Sequence, residues 1–325
     1  MIVGARLRGV KTSRMPLHGV ALLATVVLWA SAFPAIRVGL PGLGVAGLSV
    51  WRLVVASVAL ACLAPLFKVR PPHRRDLGLI LLAGFAGMAA YQVLLNWGEV
   101  HVAAGTASLL VAIAPVFSVL LSAAFLRTRP ARSTVVGSSV ALLGAAVISL
   151  SGDSVHLSLG AVVVLVAAFA QGTYHVAIKP LLDRYTGFEV ACYAMWSGTL
   201  FVLPMLPTAV HRLSEAPMSA VVSAIYLGLL PSAVGFVTWS YAVARLPVER
   251  STAALYLVPP VALVVALVWL GERPRPLELV GGLIGIAGVV LINRWRPTAG
   301  DQARKQTHDR LPLRRRGIPL SSAGG

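Results

Sequence analysis

Three stripes at helical spacing stand out in a chain that is otherwise apolar. Gln92, Asn96 and Glu99 fall at i, i+4 and i+7, so on a helix they share one face. Gln171, His175 and Lys179 follow at i, i+4 and i+8, and Trp29, Phe33 and Arg37 form an aromatic version of that stripe. Polar side chains inside a membrane helix are costly, so such faces turn toward a bundle interior. There they serve either a solute path or a ladder of interhelical hydrogen bonds. Lys179 and Arg37 sit near span ends, where long basic side chains reach the headgroups.

A histidine ordinarily titrates near neutral pH, so His175 either couples protons to transport or donates one hydrogen bond as a neutral ring. Arg52, in TrpArgLeu (51–53), lies too deep in its apolar run for a purely surface role. It needs an anion, either Glu99 or the carboxylate of a substrate. Pro115 and Pro259 interrupt two later apolar runs, each removing a backbone N–H, which predicts mid-helix kinks and hinges. Tyr256, one turn before Pro259, reaches the same place. Trp29, Arg52, Gln92, Asn96, Gln171, His175 and Tyr256 are thus the candidate substrate-binding residues.

Lipid-length helices must position these groups. The chain has 325 residues, 57% of them hydrophobic and 12% charged, with a mean hydropathy of +0.82. Soluble domains carry about 25% charged residues, so the deficit points to lipid as solvent. Ten apolar runs are predicted as spans: 17–37, 43–67, 77–98, 102–126, 133–151, 157–178, 187–207, 218–244, 251–270 and 277–293. Each is long enough to cross as a helix, the default where lipid cannot satisfy backbone polar groups. The basic start and Ala30-Ser31-Ala32 mimic a signal peptide, but cleavage there would leave nine spans, so the first run is read as a span.

Twenty-three of the 28 Lys and Arg residues fall on one side of this threading. By the positive-inside rule both termini are cytoplasmic in a cell membrane, although the basic loop around Arg273 and Arg275 is then outside. The net charge of +17 sits at span ends and in the tail after Arg294, not on a folded basic face. That excludes a nucleic-acid surface. The tail is read as disordered and lying on anionic lipid. Cys62 and Cys192 sit in apolar runs without a CxxC or Cys/His cluster, so they are packing residues and no metal or cofactor is implied.

The chain also repeats itself. At an offset of 144, Gly84 falls on Gly228, Pro115 on Pro259, Arg129 on Arg273, Pro130 on Pro274, Gly137 on Gly281 and Gly144 on Gly288. At 142, AlaIleArg (35–37) falls on AlaIleLys (177–179). A five-span unit repeated once is necessarily inverted, and inverted repeats place a solute site between the halves. The expected architecture is all-α: a basic N-terminus (1–16), repeats at 17–151 and 152–293, and a basic tail (294–325). Gly281, Gly285 and Gly288 predict close helix packing, within the chain or in a homodimer.

LeuTrpAlaSerAlaPheProAlaIleArg (28–37), ThrAlaSerLeuLeuValAlaIleAlaPro (106–115) and GlyGluArgPro (271–274), in this order and duplicated setting, resemble the EamA family of the drug/metabolite transporter superfamily. The resemblance covers residues 17–293. The first half has Arg127-Thr128 where the family often has a Gly-Glu pair. The resemblance implies export or exchange of a small-molecule substrate: amino acids, related metabolites or drugs. No H-E-x-x-H, G-x-S-x-G or phosphate-cradling loop is present, so enzyme and ATP-driven readings are unsupported.

Overall fold

A computed structural model describes residues 17–125, 132–149, 159–245 and 254–294, and all regular structure among them is helical. The elements are α1 (Leu17–Leu63), α2 (Arg74–His101), α3 (Ala104–Phe125), α4 (Arg132–Ser149), α5 (Leu159–Leu182), α6 (Gly187–Glu215), α7 (Met218–Val243), α8 (Val258–Leu270) and α9 (Pro276–Arg294). By length and composition α1, α2, α3, α5, α6 and α7 can each cross a membrane, and α4, α8 and α9 carry shorter apolar stretches. Side chains such as Val264, Val268 and Leu283 are exposed and would face lipid, while Gln92, Asn96 and Glu99 are fully buried. The polarity is thus inside and the oil outside, as a bilayer requires. The basic termini (1–16 and 295–325), Arg127, Arg129 and Pro130 lie outside the described residues.

The 47-residue α1 is bent, and Gly44 is the reason. Its φ of 64° with ψ of 179° is a conformation that side chains with a Cβ avoid. A Cβ on Gly39 would stand 2.7 Å from Leu48 Cδ1. Nine residues span about 13 Å in a straight helix, so the chain reverses at Gly44. The arms 17–43 and 45–63 correspond to the first two expected spans.

The repeat is written into the packing. Seven-residue π-helical segments occupy Gly84–Ala90 in α2 and Gly228–Val234 in α7, at the offset of 144. Each opens on a glycine pressed against the other half: Gly84 on Ser197 and the Ala194 carbonyl, Gly228 on Val55 and the Arg52 carbonyl. Under the offset of 142, Ala194 and Ser197 fall on Arg52 and Val55, so the two contacts are images of each other. The same exchange joins α4 to α9. Gly144 meets Gly281 and Gly285, while Gly288 meets Gly137 and Ala141. Such reciprocal contacts are the signature of a two-fold relation, here between halves of one chain. The glycines of α9 therefore pack within the chain.

Pro115 and Pro259 each stand at the restart of a helix and not in the middle of an unbroken one. Pro115 is the second residue of the helix Ala114–Phe125, after a break at 112–113 that closes Ala104–Val111. Pro259 is the second residue of α8, after a single 3-10 turn, Leu255–Leu257. A first turn tolerates proline because its N–H has no intrahelical partner. The interruption therefore falls just before the proline in both halves.

Candidate functional site

These two interruptions border a central cavity. Its volume is about 50 Å³. The wall is built from repeat-equivalent pairs: Trp29 with Gln171, Phe33 with His175, Val111 with Leu255, and Ala114 with Val258. Arg52, Tyr91, Leu95, Ser108, Pro115 and Phe236 complete most of it. The cavity thus lies on the pseudo-two-fold axis, where movement of one half against the other changes access from either end.

The polar side chains are held in place individually. Trp29 Nε1 donates to the Pro231 carbonyl at 3.1 Å, inside the π-helical segment of α7, and its ring lies 5.0 Å from Phe236 and 5.4 Å from Trp239. Arg52 Nε donates to Ser232 Oγ at 2.8 Å. No ion pair joins Arg52 to Glu99, so that expected pairing is replaced by a hydroxyl partner from the second half. His175 Nδ1 is 3.1 Å from Ser118 Oγ, and Nε2 is 3.5 Å from the Gln171 amide nitrogen. Those partners are uncharged. His175→Gln is therefore expected to change KM by less than about tenfold, the worth of one neutral hydrogen bond. Its transport should keep the wild-type ratio between about pH 6 and about pH 8, which bracket the ordinary histidine range. Counterflow at both pH values checks this, and a lost pH response would make His175 a proton-coupling group.

The Gln92 stripe is buried as expected but does not line the cavity. Asn96 Nδ2 donates to Ser49 Oγ at 2.8 Å, joining α2 to the second arm of α1. Tyr91 and Leu95 line the cavity instead, each one residue before a stripe member. Pro115 and the residue before Pro259 reach the wall. The Tyr256 side chain lies outside the described residues, while its repeat mate Ala112 is at the cavity. Ser232 and Phe236 escaped the sequence reading; an offset of 144 from Gln92 lands on Phe236, the available clue.

Both ends of the bundle are tied across the halves. Arg37 does not simply snorkel: Nη1 donates to the Glu99 carbonyl at 2.6 Å and Nε lies 3.4 Å from Glu272 Oε1. Glu272 Oε2 also accepts from Ala104 N at 3.0 Å, capping α3. At the opposite end Arg70, just before α2, pairs with Glu189 in the first turn of α6, and Asp76 in the first turn of α2 pairs with Arg184 of the α5–α6 connection. Among the described residues no group of three or more His, Cys, Asp or Glu side chains could hold a metal ion.

Lipid-length helices, two related halves and an axial cavity tied at both ends define a multi-pass membrane transporter for a small molecule. The chain belongs to the EamA-like transporter family, whose model matches residues 18–150 and 158–294. It is 67% identical over 274 residues to a probable terminal-alkyne amino-acid exporter of Streptantibioticus cattleyicolor, covering 84% of this chain and 92% of that one. It is 38% identical to the uncharacterized transporter YdfC of Bacillus subtilis, over 81% and 86% of the two chains. A probable amino-acid metabolite efflux pump of Escherichia coli is 30% identical, over 86% and 96%. A solved crystal structure with 16% identity and a TM-score of 0.59 shares the fold, over 89% of this chain and 98% of that one.

Proposed function

We propose that this protein exports a small amino acid with an apolar side chain, terminal-alkyne amino acids foremost, by alternating access between inverted repeats at 17–151 and 152–293. The observation that carries the reading is the axial cavity itself. Its wall combines aromatic and aliphatic faces with one guanidinium, one amide and one imidazole. That composition suits a zwitterion on a short apolar stem. The name of the 67% identical relative supports the alkyne class. Ten crossings, counting the two arms of α1, put both termini on the cytoplasmic side of the cell membrane, with the basic tail on anionic lipid. Trp29, Arg52, Gln171, His175 and Tyr256 contact substrate, Gln92 and Asn96 hold α2 in the bundle interior, and Pro115 and Pro259 mark the hinges. Because the cavity is narrow, loading requires the halves to separate at one end.

The test is counterflow into proteoliposomes of labelled L-propargylglycine, beside common amino acids and a panel of planar drugs. Saturable uptake of the alkyne amino acid, competed by small apolar amino acids, is the expected result. Uptake of drugs with no amino acid carried would replace it with drug export, a role the Trp29, Phe236 and Trp239 cluster would serve.

A further inference from the structure

We infer that Arg52 is the anchor for the substrate carboxylate and so decides that the transporter takes acids in preference to amines. This rests on the amino-acid reading above and names the group that reads the acid. Arg52 is 3% exposed and lines the cavity, yet among the described residues no carboxylate lies within ion-pair distance of it. Its Nε is committed to Ser232, and its Nη1 has no hydrogen-bond partner. A guanidinium buried with a free donor is costly unless an anion reaches it. The planar fork of arginine matches a carboxylate, and Ser232 fixes the plane in which it is offered.

The repeat sharpens the assignment. The equivalent position in the second half is Ala194, so the charge has no counterpart and the symmetric cavity gains a polar pole. Glu99 stands out of contact with Arg52, and both of its carboxylate oxygens are themselves without hydrogen-bond partners. It therefore leaves the Nη1 donor of Arg52 free. On the same wall Ser108 and Gln171 supply oxygen acceptors for an ammonium, while Trp29, Phe33 and Phe236 bound the apolar remainder.

The experiment compares three ligands on one alkyne stem as competitors of labelled L-propargylglycine counterflow: L-propargylglycine, its near-isosteric carboxamide, and the amine lacking the carboxyl group. In the wild type the amide and amine are expected to compete about 30-fold more weakly, the loss of a charge-assisted fork. In Arg52→Gln that preference should collapse to within about threefold, and Arg52→Lys should recover only part of it. Ser232→Ala should narrow the preference for the acid over the amide, by less than Arg52→Gln does. Equal competition by acid and amide in the wild type would overturn the anchor while leaving amino-acid transport standing. Wild-type protein that carries no amino acid would reject the transport reading, and the anchor with it. The wild-type arm needs no variant to fold, and size-exclusion profiles certify the variants that are used.

Discussion

Gly84→Leu and Gly228→Leu are each expected to abolish recovery of monodisperse protein, whereas Gly78→Ala leaves it intact. A Cβ on Gly84 would collide with Ser197 and with backbone at Ala194 and Gly198; one on Gly228 would stand 2.7 Å from Val55 Cβ and 2.8 Å from the Arg52 carbonyl. Backbone cannot step aside as a rotamer can, so the cost exceeds the usual overpacking figure of about 1–3 kcal/mol. These two contacts are also where the halves grip each other, and a shift there would displace Arg52 directly. Gly78 has nothing within 4 Å of its would-be Cβ. Alanine there should only improve helix propensity, by about 1 kcal/mol. Fluorescence-detected size exclusion of the three variants reads the difference. Normal profiles for both leucine variants would mean that the π-helical segments do not pack as described.

What the sequence disclosed and what it hid follow from the range of the interactions. Glycine and proline matches at 144 exposed the repeat because close helix approach and helix interruption each demand particular residues. The stripe of Gln92, Asn96 and Glu99 foretold burial, since lipid forbids the alternative. It could not tell the cavity from the opposite interior face, because a helix inside a bundle has neighbours on several sides. Arg52 pairs with a serine 180 residues away, and Arg37 with Glu272 on the far half. Periodicity contains neither partner, and only the folded chain brings them together. The π-helical segments leave no mark in hydrophobic spacing, although the glycines that open them were already visible as a matched pair. For the prolines, residue type announced the break, but the side of the break on which each falls depends on where the helix restarts.

Glu189→Ala is expected to loosen the end of the bundle that the proposed orientation puts on the cytoplasmic side. Glu189 accepts from Arg70 Nε at 2.7 Å and Nη2 at 2.9 Å, from the Arg70 backbone at 3.2 Å, and from Thr186 N at 2.8 Å. Thr186 Oγ1 accepts in return from Glu189 N, closing a capping box at the start of α6. The bonds to Glu189 raise the Arg70 guanidinium above its ordinary range, so the pair stays charged at any working pH. Removing the carboxylate strands several donors at once. Thr186→Ala should cost about 1 kcal/mol, the worth of a cap. Glu189→Ala should cost about 2 kcal/mol or more, because the acid is nearly buried and bridges two halves. Asp76, held by Arg184 and Tyr185, keeps a second tie, so the fold survives while this end opens more often. Cys192 reports that opening: it is fully buried three residues from Glu189, whereas Cys62 is exposed. In a Cys62→Ser background, maleimide labelling of Cys192 should quicken by about 30-fold, the rate equivalent of about 2 kcal/mol. Labelling that stays at the wild-type rate would show that this ion-pair cluster fastens the loops without controlling access to the cavity.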